Sequence, residues 1–87
     1  MKILFAEDDS ETAAYVVKGL QGEGHLIDHL TNGKDTLAQA MSNNYDLLIL
    51  DRMMPGLDGL SVLKSLRAAK IETPTILLTS MGAVDDR

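Results

Sequence analysis

Three acids in this 87-residue chain stand where a carboxylate is costly to hold. Glu7 and Asp8 follow the apolar run Ile3-Leu4-Phe5-Ala6, and Asp51 follows Leu47-Leu48-Ile49-Leu50. Thr79-Ser80 ends a third apolar run, Ile76-Leu77-Leu78. A carboxylate at the tip of a buried segment has little room to move and resists burial while charged. Such residues do one of two things. They cap the next helix, or they act chemically.

The elements that must position them follow from the hydrophobic period. Lys2–Ala6 reads as a short buried strand. From Ser10, apolar residues recur at Ala13, Val16, Val17 and Leu20, which is helical spacing, with Asp9 or Ser10 as cap and Gly22 and Gly24 as stop. His25–Leu30 is a weaker strand. Asn32-Gly33 opens a second helix marked by Leu37, Ala40 and Met41. Leu47–Leu50 is a third strand, and Met53–Gly59 is a loop punctuated by Pro55-Gly56 and Asp58-Gly59. Leu60, Leu63 and Leu66 mark a third helix, with Asp58 as its cap. After Pro74, Thr75–Leu78 is a fourth strand. Residues 79–87 read as a loop and the first turn of another helix.

Strands that alternate with single helices predict an α/β fold, a parallel sheet with helices on both faces. The nearly unbroken apolar strands agree, because central parallel strands have no solvated face. Ligands of open α/β sheets bind beyond the carboxyl ends of the strands. Glu7, Asp8, Asp51 and Thr79-Ser80 all fall there. Capping explains Asp9, Ser10 and Asp58, but it does not require three separate loops to bring acids to one edge. Clustered carboxylates repel, and a hard cation relieves them. Mg2+ takes oxygen ligands, keeps several waters and binds through one or two carboxylates plus phosphate. The pattern therefore predicts a Mg2+-assisted phosphoryl site in which an aspartate itself can be the nucleophile.

These blocks resemble the receiver domain of two-component response regulators. "ILFAEDD" resembles the first strand of the family with its acidic pair. "DLLILDRMMPGLDGL" is similar to its phosphoacceptor strand and following loop, and "TPTILLTS" to its fourth strand. The wording "LDRMMPGLDG" is similar to receivers that precede a winged-helix DNA-binding domain. The resemblance implies a flavodoxin-like (CheY-like) doubly wound sheet of order 2-1-3-4. It implies that Asp51 is the phosphoacceptor, that Asp8 binds Mg2+ directly and Glu7 mostly through water, and that the Met53 backbone carbonyl is a further ligand. Thr79 then bonds a phosphoryl oxygen and moves on activation. The implied partner is a sensor histidine kinase. DNA is reached only through a domain absent from this chain.

The family has a fifth βα unit with a lysine and an aromatic residue, and Arg87 precedes both. The expectation is an incomplete receiver over residues 1–87, with an open edge at the fourth strand and one sheet face short of a helix. Self-association through either surface follows as an expectation. Lys64 and Lys70 sit on or after the third helix and cannot replace that lysine.

Composition removes other functions. A net charge of −5 repels phosphate backbones, and the lack of cysteine excludes disulfides and thiolate chemistry. The apolar run after Met1 is too short for a signal peptide or a membrane span, so a cytoplasmic location is expected. An aspartyl-phosphate phosphohydrolase needs a second aspartate where this chain has Met53. A flavin or nucleotide binder needs a small polar loop where this chain has Glu7-Asp8-Asp9. A fragment that only self-associates is the remaining alternative. "GLQGEG" follows a helix and is a helix stop, not a dinucleotide fingerprint. His25 and His29 are four apart on a strand, too widely spaced for one ion, and read as ordinary edge-strand histidines. Met53-Met54 divides between packing and partner contact, and Arg52 faces solvent beside the site.

Overall fold

The computed structural model describes residues 1–78 and, as backbone, 84–85. The elements are β1 (Lys2–Ala6), α1 (Ser10–Gly22), β2 (Leu26–Leu30), α2 (Gly33–Ser42), β3 (Leu47–Asp51), α3 (Gly59–Ala68), β4 (Thr75–Leu78) and β5 (Val84–Asp85). The first four strands are parallel and lie in the order 2-1-3-4. Alternation along them builds two cores. Leu4, Ala6, Leu48, Leu50 and Leu77 face α2 and α3, where Ala40, Val62, Leu63 and Leu66 meet them. Ile3, Phe5 and Ile49 face α1 and its Ala13. Both sides of β1 and β3 are therefore apolar, as central parallel strands require.

Each helix starts on a side-chain cap. Asp9 accepts from the Thr12 amide at 3.1 Å, Asn32 from Asp35 at 2.9 Å and Asp58 from Ser61 at 2.8 Å. Two helix faces differ from the sequence expectation. Met41 is exposed, and its expected place in the α2 core is taken by Thr36, which is fully buried. Thr36 satisfies its hydroxyl by donating to the Asn32 carbonyl at 2.7 Å, so it packs as a small apolar residue. In α3, Val62 joins Leu63 and Leu66 in the core.

The end of the chain also corrects the sequence reading. Val84–Asp85 is a strand, not the first turn of a helix. It pairs antiparallel with β4 through Leu77↔Asp85 and Leu78↔Val84, so β4 is not an open edge over those residues. The exposed N–H and C=O groups of β4 offer any following segment hydrogen bonds. A two-residue strand exploits them without any periodic signal of its own.

Candidate metal and phosphoryl site

Register brings the acids together. Ala6 is level with Leu50, so one step further Glu7 is level with Asp51. Strand alternation puts both on the α1 side of the sheet. One carboxylate oxygen from each of Glu7, Asp8 and Asp51 lies within 4.8 Å of the others. Glu7 is buried, Asp51 half-buried and Asp8 exposed, so the cluster has a closed floor and an open mouth.

Local hydrogen bonds fix each position. The Glu7 amide donates to the Leu30 carbonyl at 3.0 Å, which extends the β1–β2 ladder by one bond. Glu7 Oε2 accepts the Asp9 amide at 3.2 Å. The Arg52 amide donates to the Leu78 carbonyl at 2.8 Å and holds Asp51 against β4. The Met53 amide turns back to Asp51 Oδ1 at 3.2 Å. A Cβ on Gly59 would collide with the Asp51 carbonyl oxygen, so only glycine lets α3 start this close to the site. Gly33 makes the same allowance where the Leu57 backbone crosses the start of α2.

Electrostatics separate the acids by role. Burial is the main cause that raises the Glu7 carboxyl from its ordinary 4.5 to about 7, and the neighbouring Asp51 carboxylate adds to it. Asp9 moves the other way, held down by the Thr12 hydroxyl and amide it caps. Asp58 is likewise held down, chiefly by the Ser61 amide. The capping acids are thus spent on their helices, and the raised acid sits in the cluster. Three carboxylates within one cation's reach form an all-oxygen donor set that fits Mg2+. A surface groove of about 720 Å³ beside Tyr15, Val16 and Leu20 lies on α1 away from this cluster, so size alone does not mark the site.

Of the residues that the sequence singles out, Glu7, Asp8 and Asp51 meet. Met53 stands in the adjoining loop with its side chain exposed, while Met54 packs against the α2–α3 core. Thr79 lies outside the described residues. Sequence reasoning missed His29, whose Nε2 donates to the Glu7 carbonyl at 2.9 Å. The sequence carried no signal for it beyond its place at the carboxyl end of β2.

Comparison with known proteins agrees with this geometry. Residues 3–87 match the family described as the response regulator receiver domain. The transcriptional regulatory protein HprR of Escherichia coli is 47% identical over 87 residues, which is all of this chain and 39% of HprR. The chain thus spans about two-fifths of the length of that relative. The receiver domain of the Francisella response regulator 1452 superposes with a TM-score of 0.89 at 38% identity, over 94% of this chain and 68% of that one. The Thermotoga maritima response regulator TrrA, solved in complex with Mg2+-BeF, gives 0.85 at 40% identity, over 91% and 69%. TrrA in complex with the histidine kinase ThkA gives 0.83 at 40% identity, over 91% and 68%. An acidic pair after β1, an aspartate ending β3 and a parallel sheet of order 2-1-3-4 thus coincide with a family match over nearly the whole chain, and the chain belongs to the receiver domain family of response regulators.

Proposed function

We propose that Asp51 accepts a phosphoryl group from a phosphohistidine on a sensor histidine kinase. The observation that carries this reading is the approach of Glu7, Asp8 and Asp51 to within 4.8 Å. Asp51 and Asp8 would hold Mg2+ directly, Glu7 would hold it through water, and the Met53 carbonyl would complete the protein's share of the ligands. When bound, Mg2+ offsets the charge that develops on the phosphoryl oxygens. The Met53 amide on Oδ1 orients the Asp51 carboxylate, and its other oxygen attacks phosphorus. A P–O bond forms, the P–N bond breaks, and the histidine ring leaves. Thr79 bonds the new phosphoryl group and switches the loop after β4. The chain is an acceptor with at most slow self-dephosphorylation, not an enzyme acting on other substrates.

The matched relatives are transcriptional regulators, which supports a transcriptional output through a DNA-binding domain outside this chain. Among the described residues no helix is long and apolar enough to cross a membrane, and a cytoplasmic location belongs to the same reading. A second copy of the chain is the further partner. Leu47 and Leu78 on the α1 side of the sheet are only half-buried, and covering them favours self-association.

The test is a native mass spectrum after incubation with Mg2+ and acetyl phosphate, with Asp51→Asn alongside. One phosphoryl adduct per chain, absent in the variant, is expected. An adduct that survives the substitution, or a folded chain with none, would overturn the reading. The same spectrum reads the oligomeric state.

A further inference from the structure

The two histidines of β2 and its approach separate in the folded chain. His29 reaches the carboxylate cluster through the backbone. Its Nε2 lies 2.9 Å from the Glu7 carbonyl oxygen. A carbonyl only accepts, so Nε2 carries the proton. The ring rests against Phe5, with centroids 5.6 Å apart and planes 31° from parallel. Phe5 is fully buried and is the strand partner of His29. The imidazole is therefore held at its base by the β1–β2 ladder and along its side by a core aromatic ring.

What it holds is a hinge. The Glu7 carbonyl and the Asp8 amide belong to one rigid peptide plane. The Glu7 amide, one plane earlier, is already tied to Leu30 at 3.0 Å. Residues 29 and 30 of β2 thus grip Glu7 from both sides, by its N–H and by its C=O. The second bond restrains the Glu7–Asp8 plane at the point where the strand ladder ends, alongside the Asp9 amide that Glu7 Oε2 accepts at 3.2 Å. Both acids branch from that plane.

We infer that His29 is a positioning residue for the cation site: its Nε2–H fixes the Glu7–Asp8 peptide so that both carboxylates meet Asp51 at metal-binding distance. The inference rests on the proposed reading of Glu7, Asp8 and Asp51 as a divalent-cation site. It assigns to β2 a part in metal affinity, although β2 supplies no ligand.

The experiment compares Mn2+ binding, read from the free-ion electron paramagnetic resonance signal, in the wild-type chain and three variants. His29→Gln keeps an N–H donor the same number of bonds from Cβ. His29→Leu packs on Phe5 without a donor, and in His29→Asn the amide is one bond short. Loss of a group that orients metal ligands raises the dissociation constant about tenfold, and that rise is expected for Leu and Asn. Gln is expected to stay within about twofold of wild type. Urea midpoints are recorded on the same samples, because a purely structural role would follow stability and not the donor. If His29→Leu does not fold, the Gln and Asn variants carry the comparison. Wild-type affinity in Leu or Asn, or a loss in Gln equal to theirs, overturns the inference alone. A wild-type chain that binds no Mn2+ overturns the cation-site reading and this inference with it.

Discussion

The Met53 amide donates to Asp51 Oδ1 at 3.2 Å, so the loop that leaves β3 folds back to hold the carboxylate that ends it. In the proposed reaction, the Asp51 oxygen that this amide does not hold is the attacking one. This ties the orientation of Asp51 to the main chain of the loop and not to the Met53 side chain, which is exposed.

Met53→Ala keeps the amide and removes the side chain. It is expected to leave the rate of phosphoryl uptake from acetyl phosphate within about threefold of wild type. Met53→Pro removes the N–H and is expected to slow uptake by about tenfold, since a misaligned nucleophile loses part of its positional advantage. Stopped-time mass spectra on both variants, with thermal melts to confirm folding, check the pair. Equal rates in the two would show that the amide contact has no part in reactivity.

Stability without Mg2+ is expected to fall as pH rises. The folded chain keeps the Glu7 proton up to about 7, whereas the unfolded chain releases it near the ordinary 4.5. The folded state therefore binds more protons between those values. The contribution is complete below the unfolded value and is lost as pH rises through about 7. Urea titrations at pH 5 and pH 8 are expected to differ by about 1–3 kcal/mol from this group. Saturating Mg2+ displaces the proton and is expected to reverse the trend.

Gly33→Ala is expected to cost about 2–3 kcal/mol, because its Cβ would meet the Leu57 backbone and not a side chain that can turn away. Gly59→Ala meets the Asp51 carbonyl in the same way and is expected to lose stability and phosphoryl uptake together. Gly19→Ala, on the open face of α1 with nothing near its Cβ, is expected to be neutral or stabilising. Chemical denaturation of the three variants tests this ordering.

Asp9→Ala separates capping from chemistry. Asp9 is spent on the Thr12 amide and hydroxyl, so its loss is expected to lower the melting temperature through α1. Asp8→Ala, one residue earlier, is expected to abolish Mg2+-dependent phosphoryl uptake with little change in melting temperature. Adduct formation across a Mg2+ series distinguishes the two. Loss of uptake in Asp9→Ala with an unchanged melt would place Asp9 in the site instead.

The sequence by itself determined the alternation of strands and helices, because each element writes its period into a few neighbouring residues. It also placed Glu7, Asp8 and Asp51 at one edge, because parallel topology forces the carboxyl ends of all strands to the same side. The sequence also set Asp9 apart as a helix cap, and the turn after β1 carries this out by sending Asp9 to the Thr12 amide and Glu7 toward Asp51. The remaining features arise between distant segments and leave no local trace. Thr36 is buried because its hydroxyl finds a carbonyl one turn back. Met53 and Met54 part company because only Met54 points to the α2–α3 core. Val84–Asp85 becomes a strand because β4 offers it hydrogen bonds. His29 touches the site because strand register sets it beside Phe5 and under the Glu7 carbonyl. Each is a contact made by the fold, and the tertiary structure alone decides it.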